Sequence, residues 1–355
     1  MKRVDQILPA FHKGDAIGDT ALHIKKFLNS SGFSSQIYSL TIDDELLDEA
    51  EFFSNFPPPN SSDIIIFHFA LPSPLTDKIK KISAKKIMIY HNITPAKFFV
   101  DYSAEMTRIA IEGRNQLNSL SEFIDLALAD SEFNRQELEA IGYKNTAVFP
   151  LFVDFKKYEK KENSLIIKLF DDERVNILFV GRVVPNKKIE DNIKVLFYYK
   201  KYISPLVRLI IVGKTSSLPE YYYSLIRLAD EFLLTSEDIV FTGHVPDEEL
   251  IAYYRIADVF LSLSEHEGFC LPLIESMFFD VPIIAYNCTA VPYTLGNAGI
   301  LINEKEVSFL GELIHYLVNN KEFKEKIINS QRKRLKEFRK QDLGKTLLEH
   351  INRLK

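Results

Sequence analysis

"NILFVGRVVPNKKIEDNIKVLFYY", residues 176–199, decides the fold class of this chain. It opens on an apolar strand (Asn176–Val180), turns away at Gly181, passes Arg182 and Lys187, and continues as an amphipathic helix. Glycine accepts backbone conformations that other residues avoid, so it suits an abrupt strand exit. The run "ILFV" shows no apolar–polar alternation, which marks a strand buried on both faces, as in parallel sheets covered by helices. Strand then helix is half of a right-handed βαβ unit.

The unit recurs in both directions. Upstream, strand-length apolar runs lie at Val4–Leu8, Gln36–Leu40, Ile64–Phe67, Ile87–Tyr90, Leu126–Ala129 and Ala147–Phe149. Downstream they continue at Val207–Val212, Ile239–Phe241, Val259–Leu263, Pro282–Ala285 and Ile300–Ile302. A chain of 355 residues exceeds the ~250–300 at which single cores stop growing. The expected architecture is therefore α/β, with two Rossmann-like, doubly wound parallel-sheet domains facing a central cleft. The domains are expected at residues 1–160 and 161–335. A last helix, 336–355, is expected to cross back to the first domain, with a break near Gly344. The lysine-rich "DFKKYEKKENS" (Asp154–Ser164) reads as the linker.

Composition excludes several classes. A formal net charge of −5 gives no electrostatic case for nucleic acid. Two cysteines, Cys270 and Cys288, cannot build a disulfide framework, and no CxxC is present, so a reduced cytoplasmic compartment is expected. The N-terminus is too polar for a signal peptide, and no run approaches the ~18 apolar residues of a membrane span. Any membrane contact is expected to be peripheral, on the inner face.

In open α/β sheets ligands bind beyond the C-terminal ends of the strands. After Asn176–Val180, Arg182 offers a planar fork of donors and Lys187 a compact ammonium, a combination suited to a pair of phosphates. The alternative is a solvated basic loop, which is the reading for Lys188. After the first strand, Gly14 and Gly18 are expected in a loop just before a helix capped by Asp19 or Thr20, whose exposed amides attract anions; tight turn and phosphate contact both stay open. The stretch is not GxGxxG, which removes support for a dinucleotide.

After Val259–Leu263 comes "SEHEGFCLPLIESM" (264–277), with Glu267 and Glu275 bracketing a helix start at Pro272. Amides of Gly268, Phe269, Cys270 and Leu271 sit at the positive helix end and suit a diphosphate or sugar oxygens. A carboxylate accepts two hydroxyl protons at once, so each glutamate suits a vicinal diol. The other reading has Glu267 compensating the helix dipole and Glu275 solvated.

"SEHEGFCLPLIESM", with "VGRVVPNK" upstream, resembles the E-x7-E and GR-x4-K signatures of family 4 glycosyltransferases (glycosyltransferases group 1), which have the GT-B fold. The likeness runs through "LIIVGK", "DIVFTGHVPDEELIAYYRIADVFLS" and "VPIIAYN", and more weakly through "YHNITPAKFF" and "ALADSEFNRQEL". The resemblance implies that the second half binds a nucleotide-sugar donor and the first half an acceptor. It implies that Arg182 and Lys187 hold the diphosphate, Glu275 the ribose and Glu267 the sugar, with Gly181 also on the donor side. Amides of Phe269 and Cys270 would touch that sugar, and the backbone at His244 and Val245 the base. Three positions depart from the family. Cys270 and Asp280 stand where glycine is common, and Tyr293 falls where Pro-Glu is usual.

Eight histidines show no metal spacing, and there is no HExxH or DxD pair. No cofactor or metal is expected, so the leaving diphosphate must be compensated by Arg182, Lys187 and helix ends. His91 closes a strand and opens "NITPAKFF"; the resemblance points there to a histidine that hydrogen-bonds the donor sugar. His68 exits the neighbouring strand, toward the acceptor side or the core. His266 reads as structural. The family retains anomeric configuration, with the leaving phosphate taking the acceptor proton, so Glu267 positions rather than attacks. Lys78, Lys80, Lys81, Lys85 and Lys86 suit either a solvated face or anionic lipid head groups.

The expected activity is transfer from GDP-mannose or a UDP-sugar to a saccharide or lipid-linked saccharide, in surface polysaccharide synthesis. The alternatives are a catalytically silent GT-B binding protein, or a GT-B phosphorylase or sugar-phosphate synthase.

Overall fold

The computed structural model describes residues 2–12 and 14–354. The chain divides into two units: Met1–Lys97, Ala104–Val153 and Gln341–Lys355 form the first, and Phe98–Ser103 with Asp154–Lys340 the second.

The strands of the first unit are β1 (Val4–Phe11), β2 (Ile37–Ile42), β3 (Glu51–Phe52), β4 (Ile64–Phe69), β5 (Lys85–Tyr90), β6 (Leu126–Ala129) and β7 (Thr146–Val148). They pair in parallel in the order β3-β2-β1-β4-β5-β6-β7. Every residue of β4 is buried, because alternate side chains enter two separate apolar layers. Ile65, Phe67, Met88, Tyr90, Ala127 and Ala129 form one layer. Ile64, Ile66, Ile87, Ile89, Leu126 and Leu128 form the other, which Leu347 and Ile351 of the last helix (Leu343–Arg353) complete. The break before that helix falls at Gln341–Asp342, where the Asp342 carboxylate caps the Lys345 amide at 2.9 Å. Gly344 sits one step inside the helix and admits the Phe27 ring; a Cβ there would lie 2.3 Å from it.

The second unit contains β8 (Val175–Val180), β9 (Val207–Val212), β10 (Ile239–Gly243), β11 (Val259–Ser262), β12 (Ile283–Tyr286) and β13 (Ile300–Ile302). Their order is β10-β9-β8-β11-β12-β13, all parallel. Strand order therefore reverses direction between β1 and β4 in one sheet and between β8 and β11 in the other. Those reversal points are where α/β sheets open a crevice for ligands.

Within the lysine-rich stretch read as a linker (154–164), which begins at the boundary between the units, Phe155–Glu159 forms a short 3-10 turn of the second unit, with Tyr158 only 2% exposed. Of the five lysines at 78–86, Lys78, Lys81 and Lys85 are exposed, Lys80 is half-buried and Lys86 is buried. Lys78 lies over the Phe53 ring, Lys80 is 3.3 Å from Asp77, and Lys85 is 2.8 Å from Asp125. Lys86 is buried and donates to the Ile82 and Ala84 carbonyls, and burial lowers its pKa. Among the described residues no helix is long and apolar enough to cross a membrane.

Candidate active site

Glycines end the three neighbouring strands β8, β9 and β10. Gly181 (φ 155°) donates its amide to Val212 O, and Gly213 (φ 151°) donates to Gly243 O, each at 2.9 Å. A Cβ on Gly213 would fall 2.0 Å from the Gly181 carbonyl oxygen, so only glycine lets these strand ends approach. Beyond Gly181, Arg182 is exposed and makes no ion pair among the described residues. The loop then tightens into the turn Pro185–Lys187.

Asn186, 4% exposed, ties this loop to the one after β11. Its side-chain amide donates to His266 O at 2.9 Å, and its carbonyl accepts from the Glu265 amide at 2.8 Å. That tie sets the Lys187 ammonium 2.6 and 2.7 Å from the two oxygens of Glu267. The side chains are 18% and 7% exposed, so the pair is mostly shielded from water. Glu267 is held from behind by Thr289: its amide donates to Thr289 Oγ1 at 2.8 Å, and that hydroxyl donates back to Glu267 O at 2.9 Å.

Cys270 follows at the start of the helix Leu271–Phe278, in the left-handed conformation (φ 67°, ψ 63°). Burial pushes its thiol well up, helped by the Glu267 charge, and raises Cys288 to about 12. Neither thiol is therefore a thiolate near neutral pH. The Cys288 thiol donates to Ser264 O at 2.9 Å, a further brace on the loop. A left-handed non-glycine residue costs about 1–2 kcal/mol. Cys270→Gly relieves that strain but gives up a buried thiol of similar worth. We expect its melting temperature within ~3 °C of the parent, and a clear drop for the β-branched Cys270→Val. Equal melting of both variants would contradict the strain argument.

Glu275 is not solvated. It is 4% exposed, and its two oxygens accept the hydroxyls of Tyr158 and Tyr254, each at 2.7 Å. Burial, then the Glu275 charge, raises Tyr254 well above the ordinary tyrosine value, so this phenol stays a donor. Tyr158, Tyr254, Asn186 and Thr289 were not singled out from the sequence. Their partners lie 21 to 117 positions away, and no local pattern announces such pairings.

Thus Gly181, Arg182, Lys187, Glu267–Leu271 and Glu275 gather at the β8 and β11 exits, with His244 and Val245 directly after β10. His266 is buried, its ring 6.1 Å from that of Phe98. Gly18 and His91 belong to the first unit. Gly18 lies inside the first turn of the helix Ala16–Ser30, where a Cβ would meet His12 O at 3.1 Å; it packs helix against strand. The His91 side chain is 2% exposed, and both ring nitrogens are engaged, with His68 and Asp130, each at 3.0 Å. A sugar reaches this ring only by displacing one of those partners.

Two parallel-sheet α/β domains, the second carrying its charged groups at the strand-order reversal, define the GT-B fold. The Anabaena protein HepE, solved with UDP and glucose, superposes with a TM-score of 0.75 at 16% identity, covering 99% of this chain and 100% of that one. WaaG, a glycosyltransferase involved in lipopolysaccharide biosynthesis, gives 0.70 at 12% identity, covering 98% of each. Residues 160–334 match the family described as glycosyl transferases group 1. The serotype-specific mannosyltransferase WbdA of Escherichia coli is 26% identical over 147 residues, 41% of this chain and 18% of its own length. The O-antigen chain mannosyltransferase B of Escherichia coli is 39% identical over 69 residues, 19% of this chain and 18% of its own. The chain thus spans less than a fifth of the length of these two relatives.

Proposed function

We propose that the chain transfers a hexose from a nucleotide sugar to a saccharide or lipid-linked saccharide acceptor, with the donor bound at the β8 and β11 exits. The observation that carries this reading is the Lys187–Glu267 pair beside the uncompensated Arg182. An ammonium has three donors, and Glu267 takes two, leaving one N–H for a phosphate oxygen. Arg182 adds a bidentate fork to the same diphosphate. Each Glu275 oxygen receives one tyrosine hydroxyl and keeps acceptor capacity for the ribose diol. Glu267, oriented by Lys187 and Thr289, accepts sugar hydroxyls. Acceptor recognition is assigned to the first unit.

On this reading the reaction retains anomeric configuration, and the departing phosphate takes the acceptor proton. Glu267 forms no bond to the sugar, in keeping with its engagement by Lys187. Positive charge from Arg182 and Lys187 stabilises the leaving group. The mannosyltransferase names of two relatives favour GDP-mannose as donor, in polysaccharide synthesis; a UDP-sugar is the competing choice.

Thermal unfolding with GDP, UDP and ADP, and with GDP-mannose and UDP-glucose, tests the donor site. One nucleotide series should raise the melting temperature by several degrees at ~100 times its Kd. Arg182→Ala should weaken that binding ~10- to 100-fold while leaving the unliganded melt unchanged, since the side chain has no partner to lose. No shift with any nucleotide would remove the assignment.

A further inference from the structure

One row of residues in the first unit turns polar where its neighbours are apolar. Alternate positions Val4, Ile64, Ile66, Ile87, Ile89, Leu126 and Leu128 fill the layer under the last helix. The next positions in the same alternation are Gln6 on β1, His68 on β4, and His91 and Asp130 just past β5 and β6. These four strands are adjacent, so the row crosses the sheet from the first half of β1 to the C-terminal exits of β5 and β6. The side chains are almost wholly buried: Gln6 0%, His68 1%, His91 2% and Asp130 3%.

The row is continuously hydrogen-bonded. Gln6 Nε2 donates to Ala21 O at 2.9 Å, which turns its Oε1 toward His68 Nε2 at 3.0 Å. An amide oxygen only accepts, so His68 carries its proton on Nε2. A neutral His68 then offers a bare Nδ1 to His91 Nε2, at 3.0 Å, and His91 must donate there. His91 Nδ1 faces Asp130 Oδ2 at 3.0 Å, and that link also needs a proton. A neutral histidine has only one N–H, already used, so the link requires either a doubly protonated His91 or a protonated Asp130.

We propose that Gln6, His68, His91 and Asp130 form a one-way relay that holds an additional proton on the His91–Asp130 link, with His68 and Asp130 as positioning residues for the β5 exit. Its bearing on catalysis rests on the donor-site reading above; the proton count does not. The familiar alternative, a neutral His91 donating Nδ1–H to an ionised Asp130, would leave two lone pairs opposed somewhere between His91 and the anchored Gln6. Asp130 Oδ1 supports the additional proton independently. It is buried without a hydrogen-bond partner, which is costly for a carboxylate and more tolerable for the carbonyl oxygen of an acid. Burial raises the Asp130 pKa, opposed by His91, and burial followed by His91 holds His68 well below the usual histidine value. No other titratable group contributes to either shift. From the Ala16–Ser30 helix the relay meets the Ala21 carbonyl. On the last helix His350 answers to Arg353 and Glu349 instead.

The sign of the pH dependence follows. Above the ordinary histidine range, the unfolded chain has an ionised Asp130 and neutral histidines, so the folded relay binds one proton more. Stability then falls as pH rises, by tenfold in the unfolding equilibrium per pH unit, until the folded relay releases its proton. Asp130→Asn substitutes a permanent donor, Nδ2–H, toward His91 Nδ1 and keeps the carbonyl.

Histidine-selective nitrogen NMR on the full chain at pH 7 tests the relay without any substrate. The expected spectrum has His91 protonated at Nε2 and His68 at Nε2 only; a bare His91 Nε2 overturns the proposal. Asp130→Asn should keep that spectrum and the parent melting temperature while losing the one-proton alkaline slope. Asp130→Ala should lose both stability and the signature. An Asp130→Asn protein that behaves as Asp130→Ala overturns the proposal as well. Failure of nucleotides to bind would remove the catalytic reading and leave these results untouched.

Discussion

Lys187→Ala is expected to lower the stability of the second unit by about 2–4 kcal/mol, toward the lower end of what breaking a buried ion pair costs. The variant should also lose measurable donor binding. Glu267 explains both effects. Its carboxylate is 7% exposed, its backbone is fixed by Thr289 and Asn186 holds the adjoining loop, so it cannot swing out to find water. Without the ammonium, a desolvated negative charge remains facing the place assigned to a diphosphate. The double variant Lys187→Met/Glu267→Gln removes both charges and should recover most of the stability but none of the binding. A Lys187→Ala protein that melts with the parent would show that the pair carries no structural weight. Recovery of binding by the double variant would argue against a charge-based donor site.

Gly213→Ala should be more damaging still, by more than ~4 kcal/mol, enough to abolish soluble expression. The added methyl carbon would stand 2.0 Å from the Gly181 oxygen, and both atoms are fixed to paired strands, so no side-chain rotation relieves the collision. Gly243→Ala on the neighbouring strand separates collision from backbone strain. Its φ is 73°, yet nothing lies within 4 Å of the added carbon, so about 1 kcal/mol is expected. Comparable loss in both variants, measured by urea unfolding, would assign the effect to left-handed strain alone.

Much of this arrangement is legible before any coordinates, and the reasons differ by element. Uninterrupted apolar runs such as Ile64–Phe67 and Val207–Val212 mark strands because both faces of a parallel sheet need apolar side chains. β3 escapes notice: it is two residues long with both exposed, and only its pairing to β2 makes it a strand. The strand-exit rule finds Arg182, Lys187, Glu267 and His91, since chain direction alone places them. It does not reveal which atoms they engage. Glu275, one turn into a helix, looks solvent-facing until Tyr158 and Tyr254 arrive from distant segments. His91 looks open until His68 and Asp130 close on its ring. The two glycine replacements prove informative. Cys270 and Asp280 both take positive φ, 67° and 56°, so these positions keep a glycine-like backbone under other side chains. Asp280 is held by a two-pronged ion pair with Arg332, at 2.8 and 2.9 Å. At Tyr293 the side chain is 41% exposed and the carbonyl is bound by Arg334 at 2.7 Å.

The return of Gln341–Lys355 to the first unit makes that unit discontinuous in sequence, with nearly all of the second falling between its segments along the chain. During synthesis, residues 154–340 emerge as an almost complete folding unit, while the β1–β7 sheet still lacks one of the helices that cover one of its apolar layers. Until Leu347 and Ile351 arrive, the layer of Val4, Ile64, Ile66, Ile87 and Ile89 has only Ile24 and Leu28 of the Ala16–Ser30 helix, with Phe149, to cover it. The first unit is therefore begun before the second and completed after it, and the interval between is when a nascent chain most needs protection from aggregation.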